Sequence, residues 1–303
     1  MKYEEWAQNW LQYKIKPTTK QWTYERYEIL MRMHILPKLG ASELEDLTAF
    51  ELQKFTVGLT ERGLSANTVN GILSVLKNSL RSAVVFGVAD KQYSDHIVRP
   101  RIVEKKVTCF SKEEQCKIEK YILEKRTAKL FGILLCLYSG VRIGELLALT
   151  WEDLDLSKGL LSVSKPCHDS WENGVYHKVI DTPKTQSSIR LIPLPKQTLP
   201  YLKEMKKKSK SNYIVSKVSE RGEQVRTYQK MFENLLKRLK IEHKGFHSLR
   251  HTFATRALEC GMDVKSLSEI LGHKNPSITL NRYVHSLLEH KQNMMNRLGR
   301  LLS

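Results

Sequence analysis

Long hydrophobic runs are missing from this 303-residue chain. No stretch approaches the roughly 18 apolar residues that a membrane-spanning helix needs. The N-terminus, MKYEEWAQNW, has none of the apolar core of a secretory signal. Cysteine is scarce. The five present (Cys109, Cys116, Cys136, Cys167 and Cys260) are odd in number, scattered, and nowhere spaced like a zinc knuckle. They read as reduced thiols, so a soluble, cytoplasmic protein is expected. Repeats and low-complexity tracts are absent. Negative charge is in short supply: 32 acidic residues face 50 Lys and Arg, a net charge of +18. Such a field favours polyanionic partners, nucleic acid first. An anionic membrane would call for a basic amphipathic helix standing apart from a fold, and none is found. What is present suffices for packed cores: 41% of residues are apolar and 8% aromatic, which excludes disorder.

The length suggests two domains. Residues 1–103 carry 14 cationic and 11 acidic side chains, a net of +3, and the remainder carries 36 and 21, a net of +15. Tyr3, Trp6, Ala7, Trp10 and Leu11 follow helical spacing. A second helix is expected from about Lys20 until Pro37 ends it. Thr48–Glu51 reads as a capping box, and a long helix follows from about Ser65. On that helix Val69, Ile72, Leu73, Leu76, Leu80, Ala83 and Val84 form the apolar stripe. Asn70, Ser74, Lys77 and Arg81 share another face. That polar stripe is either ordinarily solvated or faces DNA in the major groove.

Ser111–Glu114 is a second capping box, opening the second domain. Leu130–Tyr138 reads as a helix buried all round, ended by Gly140, with Arg142 starting the next. Segments LLSVS, VYHKVIDT and SIRLIPL predict one small antiparallel sheet, with Pro183–Ser187 as the turn of its last hairpin. The fold class expected is mainly α with a small antiparallel sheet (α+β). Residues 1–100 form a helical domain, 101–108 a linker, and 109–303 a second domain with a C-terminal helix from about residue 286. Leu287, Leu288, Met294, Met295, Leu298, Leu301 and Leu302 give that last helix an apolar face, to dock on its own domain or on a neighbouring subunit.

Six residues fall in one order: Arg142, Lys184, His247, Arg250, His273 and Tyr283. Five basic groups and a phenol are the inventory for holding a phosphodiester and attacking it. Arg142 stands at a helix mouth, where backbone N–H groups favour an anion, with Glu145 one turn on to orient it. His247 and Arg250, three apart, share a helical face as a phosphate grip. His243, His247 and His251 are four apart, but HSLRH puts Arg250 where a zinc site tolerates no cation, so metal is set aside and His251 is expected to be packed and hydrogen-bonded. Gly272 breaks its helix and frees His273 to reach a ligand. Tyr283, beside Arg282, does not look like a core tyrosine. Lys184 is expected on a hairpin tip, with Lys178 and Lys165 as fallbacks. The lysine run from Lys203 to Lys210 reads as a solvated helix end.

With these frames in view, the chain resembles the tyrosine recombinase family, the phage integrases and their transposon relatives, over nearly its whole length. YSGVRIGELLALTWEDLDL, TPKTQSSIRLIPLP, HSLRHTFATRAL and LSEILGHKNPSITLNRYVH carry the likeness to the catalytic domain. KPTTKQWTYERYEILMRMHILPKLG and Ser65–Arg99 carry that to the core-binding domain. The resemblance implies that Tyr283 attacks the scissile phosphate and forms a 3′-phosphotyrosyl link. Arg142, Arg250 and His273 would hold the non-bridging oxygens, Lys184 would protonate the leaving 5′-oxygen, and His247 would take the tyrosine proton or position the phosphate. It implies no cofactor or metal. The partners are double-stranded DNA with inverted-repeat core sites, further copies of the chain in a synaptic tetramer, and accessory DNA-bending or excisionase proteins. A site-specific recombinase or integrase of a mobile element, bacterial and nucleoid-associated, is expected; a type IB-like topoisomerase and a non-catalytic DNA-binding regulator are the alternatives. Many relatives carry an arm-binding domain before the core-binding one. This chain begins directly at the latter, so that module is either lacking or removed. The Cys167–Gly174 insertion has no assigned role.

Overall fold

A computed structural model describes residues 1–91, 93–103, 107–172, 175–180, 189–215 and 223–283, with 292, 295–296 and 298–300 beyond them; of these, the side chains of 171–172, 175–177 and 281–282 are not described. The chain divides into two compact units, Met1–Lys105 and Lys106–Ser303.

The first unit is helical. α1 (Tyr3–Trp10) continues through a π-helical turn, Leu11–Ile15, into α2 (Lys16–Thr18). α3 (Gln21–Leu30) passes through a second π turn, Met31–Ile35, into α4 (Leu36–Leu39). Pro37 therefore does not end the second helix as expected, and Pro17 does not end the first. Each π turn stops two residues before a proline, with Lys16 N–H reaching Leu11 O and Leu36 N–H reaching Met31 O, five residues back. Proline has no N–H, and its ring crowds the carbonyl four residues earlier. Widening the turn moves that carbonyl aside, and the helix carries on. α5 (Ala49–Glu61) is capped by Thr48, whose hydroxyl accepts from Glu51 N–H. α6 (Ala66–Val85) is capped in the same way by Ser65. Tyr3, Trp10, Met31, Leu52, Ile72 and Leu76 are all but fully buried in one core. Each such side chain contributes about 1.5–3 kcal/mol of transfer free energy.

The second unit opens with α7 (Lys112–Lys125). There the Ser111 hydroxyl accepts from Glu114 N–H, and the Glu114 carboxylate accepts from Ser111 N–H. α8 (Ala128–Ser139) is buried along most of its length and α9 (Ile143–Ala148) follows. Five short strands come next: β1 (Leu154–Asp155), β2 (Leu160–Val163), β3 (Cys167–Glu172), β4 (Val175–Ile180) and β5 (Arg190–Pro193). They form two sheets rather than the single one expected. β1, β2 and β5 pair antiparallel in that order, while β3 and β4 make a separate hairpin with Cys167 opposite Ile180. The Cys167–Gly174 insertion supplies β3 of that hairpin. The remaining helices are α10 (Leu199–Lys208), α11 (Val225–Arg238), α12 (His247–Glu259), α13 (Val264–Leu271) and α14 (Pro276–Tyr283). α8 packs against α12, and α13 against α14. Two clusters form the core. The larger runs from Phe110 to Leu249, and the smaller joins Ala254, Leu258, Leu267, Leu271 and Tyr283. Most of the C-terminal segment expected as a helix from about residue 286 lies outside the described residues.

Candidate active site

The apolar α8 ends at Gly140, and two residues later Arg142 caps α9 with extended backbone. Its N–H donates to Glu145 Oε2 at 2.8 Å, and its Nη1 donates to Glu145 Oε1, also at 2.8 Å. Glu145 is 5% exposed. It also receives Arg190 from β5, Nη1 to Oε1 at 3.1 Å and Nη2 to Oε2 at 2.9 Å. Burial alone would raise the Glu145 pKa. The hydrogen bonds and charge of Arg190, with Arg142 adding to them, win and hold it at about 2. α9 can sit this close because of Gly144: a Cβ there would stand 2.6 Å from Cys167 O on β3.

Arg250, on the second turn's start of α12, is 2% exposed. Nη1 donates to Gly140 O at 2.7 Å, and Nη2 to Leu271 O at 2.6 Å. Burial, and then the neighbouring Arg142 charge, lower its pKa to about 9, so it stays protonated at neutral pH. Nη2 also lies 3.0 Å from His273 Nε2. A guanidinium only donates, so Nε2 accepts, and Nδ1 carries the proton that it gives to Thr279 Oγ1 at 2.7 Å. Gly272, before His273, has φ +64°, and a Cβ there would meet Arg190 Nη1 at 3.0 Å; glycine meets both demands. Arg142 Nη2 reaches Gly272 O at 3.4 Å. Arg142, Arg250 and His273 thus meet around the Gly140 and Gly272 breaks.

Tyr283, read from the sequence as unlike a core residue, is 2% exposed, with its ring in the smaller core cluster. Its hydroxyl lies 2.6 Å from His251 Nδ1. His251 is 8% exposed and hydrogen-bonded, the packed histidine expected. His247, at the exposed start of α12, presents its ring at right angles to that of His251, 4.5 Å between centroids. His247 and Arg250 therefore differ in setting, one exposed and one buried, although they begin the same helix. His243 precedes the helix and is two-thirds exposed, so the three histidines do not share a helical face.

Lys184 lies outside the described residues. Of its fallbacks, Lys178 donates to Leu147 O and stands 4.2 Å over the Tyr213 ring, burial lowering its pKa, while Lys165 lies 3.5 Å from Asp153. In the first unit, the polar stripe of α6 is not a bare face. Asn70 Nδ2 donates to Pro100 O at 3.0 Å, Arg99 Nη1 donates to Ser74 Oγ at 3.2 Å, and Lys77 and Arg81 both pair with Asp95. The sequence reading missed Arg190 and Thr279. Arg190 carried a signal: along β5 Arg190 and Ile192 face inward while Leu191 points out, so the strand's alternation buries a charge.

Guanidinium groups gathered beside a histidine and a phenol, on this fold, define the class of enzymes that cut and rejoin DNA through a tyrosine. The chain belongs to the phage integrase family: residues 110–290 match the family's own description, "Phage integrase family", and residues 2–59 match "Phage integrase, N-terminal SAM-like domain". It is similar to a XerC-like tyrosine recombinase of Caldanaerobacter subterraneus subsp. tengcongensis, 31% identical across 96% of this chain and 81% of that protein. It is also similar to the transposase of transposon Tn916 from Enterococcus faecalis, 27% identical across 94% of this chain and 75% of that one. In structure it resembles the Tn1549 transposon integrase in complex with a circular intermediate DNA, with a TM-score of 0.79, 26% identity, and 98% and 99% of the two chains covered. The protein is a tyrosine recombinase, and the fold class expected from the sequence holds. Among the described residues no helix is long and apolar enough to cross a membrane.

Proposed function

We propose that Tyr283 attacks the scissile phosphate, forming a 3′-phosphotyrosyl bond as the 5′-oxygen leaves, and that Arg142, Arg250 and His273 hold the non-bridging oxygens. One observation carries this reading. Arg142, Arg190 and Arg250 gather around a single carboxylate, Glu145, among the described residues. Burying uncompensated positive charge is costly, and a phosphodiester is the anion that balances it. Negative charge then grows on the non-bridging oxygens as the phenol adds, and fixed donors in a dry site stabilise that growth. Loss of one comparable donor costs about 2.7–4 kcal/mol in acyl transfer. Lys184 is assigned the proton for the leaving oxygen. The phosphotyrosyl ester conserves the energy of the broken bond, so rejoining needs no nucleotide cofactor.

The substrate proposed is double-stranded DNA at the ends of a mobile element, with inverted-repeat core sites, joined by a tetramer of this chain in the bacterial cytoplasm, at the nucleoid. Relatives named as a transposase and a transposon integrase support that choice. DNA contact through Asn70, Ser74, Lys77 and Arg81 would involve their partners Asp95 and Arg99 as well. The test is covalent trapping on a nicked suicide duplex. The wild type should form a protein–DNA adduct, and Tyr283→Phe should bind the duplex equally but form none. An adduct with the Phe variant would mean another nucleophile.

A further inference from the structure

We propose that His251, rather than His247, takes the proton of Tyr283 as it attacks and returns it on rejoining. The proposal rests on Tyr283 as nucleophile and deepens that reading. A phenol titrates near 10, so at neutral pH only about one in 10³ is ionised, and a base in hydrogen-bond contact removes that penalty. His251 Nδ1 stands 2.6 Å from the Tyr283 hydroxyl, and both side chains are buried. The other groups around the site are poorly suited. Glu145 is held by two guanidinium groups and is too weak a base. Arg250 is already protonated. His273 has Nε2 committed to Arg250 and Nδ1 to Thr279. A neutral imidazole is a ready proton acceptor.

The geometry suits a shuttle. His251 lies one helical turn after His247 on α12, and the perpendicular ring of His247 at 4.5 Å links it towards the exposed start of the helix. In the forward step the hydroxyl proton moves to Nδ1, the oxygen's electron pair forms the O–P bond, and the P–O5′ bond breaks. The 5′-oxygen takes its proton from a separate acid. In the reverse step the 5′-hydroxyl gives its proton back to that acid's conjugate base and attacks phosphorus, the phenolic oxygen departs, and the imidazolium returns the proton to it.

The test uses the full chain with His251→Gln, whose amide oxygen still accepts the phenol's hydrogen bond but is no base at neutral pH. Single-turnover cleavage of the suicide duplex should slow by about 10²–10⁴-fold with unchanged DNA affinity. A second duplex carries sulfur in place of the bridging 5′-oxygen, so its leaving group needs no acid. The His251→Gln defect should persist on it, whereas a lost general acid would be rescued. His251→Asn, read in the same two assays, covers the case in which Gln packs badly. Cleavage by either folded variant within about threefold of wild type overturns the proposal. So does full rescue by sulfur, which would place His251 on the leaving group. In both cases the Tyr283→Phe result stands on its own, so the nucleophile's identity is judged separately.

Discussion

Glu145 holds two guanidinium groups on one carboxylate, and Arg190 is 6% exposed against it. Removing the charge with Glu145→Gln strands Arg190 in a buried site and should cost about 3–5 kcal/mol, read by urea unfolding. The same pair sets a pH dependence. The folded carboxyl titrates at about 2 against an ordinary 4.5. A depressed acid stabilises the fold fully above the unfolded value, and this is lost as pH falls from 4.5 towards 2. A decline of about 3 kcal/mol across that window is expected from this residue, and the Gln variant should lose that component. The frames RIGE, HSLRH and LGH made Arg142, Arg250 and His273 legible, because each sits at a helix start or break that its own neighbours determine. Arg190 stayed hidden because its partner is 45 residues away in sequence. The burial of Tyr283 stayed hidden for the same reason, since His251 lies 32 residues before it. Local spacing does not reach that far.

Helices reveal a similar divide. The caps at Thr48 and Ser111 were readable, since a hydroxyl and an amide three residues on are a local matter. The passage of two helices through Pro17 and Pro37 was not, because each relies on a wide turn just before the proline, anchored by buried side chains. Leu11, Ile15, Met31, Ile35 and Leu39 all lie in the core. Two sheets in place of one follow from long-range pairing of β2 with β5 across the separate β3–β4 hairpin. A prediction belongs here. Gly144→Ala forces a methyl to 2.6 Å from Cys167 O, backbone that cannot turn aside. α9 must shift off β3 and carry Arg142 with it. Thermal unfolding should report a loss of about 1–3 kcal/mol, and suicide-duplex cleavage should fall more than DNA affinity does.

Over the whole chain, a net charge of +18 dominates association with any polyanion. If six to ten phosphates are contacted, affinity for a duplex should drop about 10³–10⁵-fold between 50 and 200 mM salt. A flat salt response in a titration would argue against that footprint. Composition made this field legible, and the spacing of apolar residues the helical class. The chain's own residues also decide which phenols meet solvent. Tyr13 is 77% exposed, whereas Tyr283 is stowed in the interior at 2%. A nitrating or iodinating reagent applied to the protein without DNA should therefore mark Tyr13 readily and pass over Tyr283, leaving the proposed nucleophile of the resting molecule chemically silent.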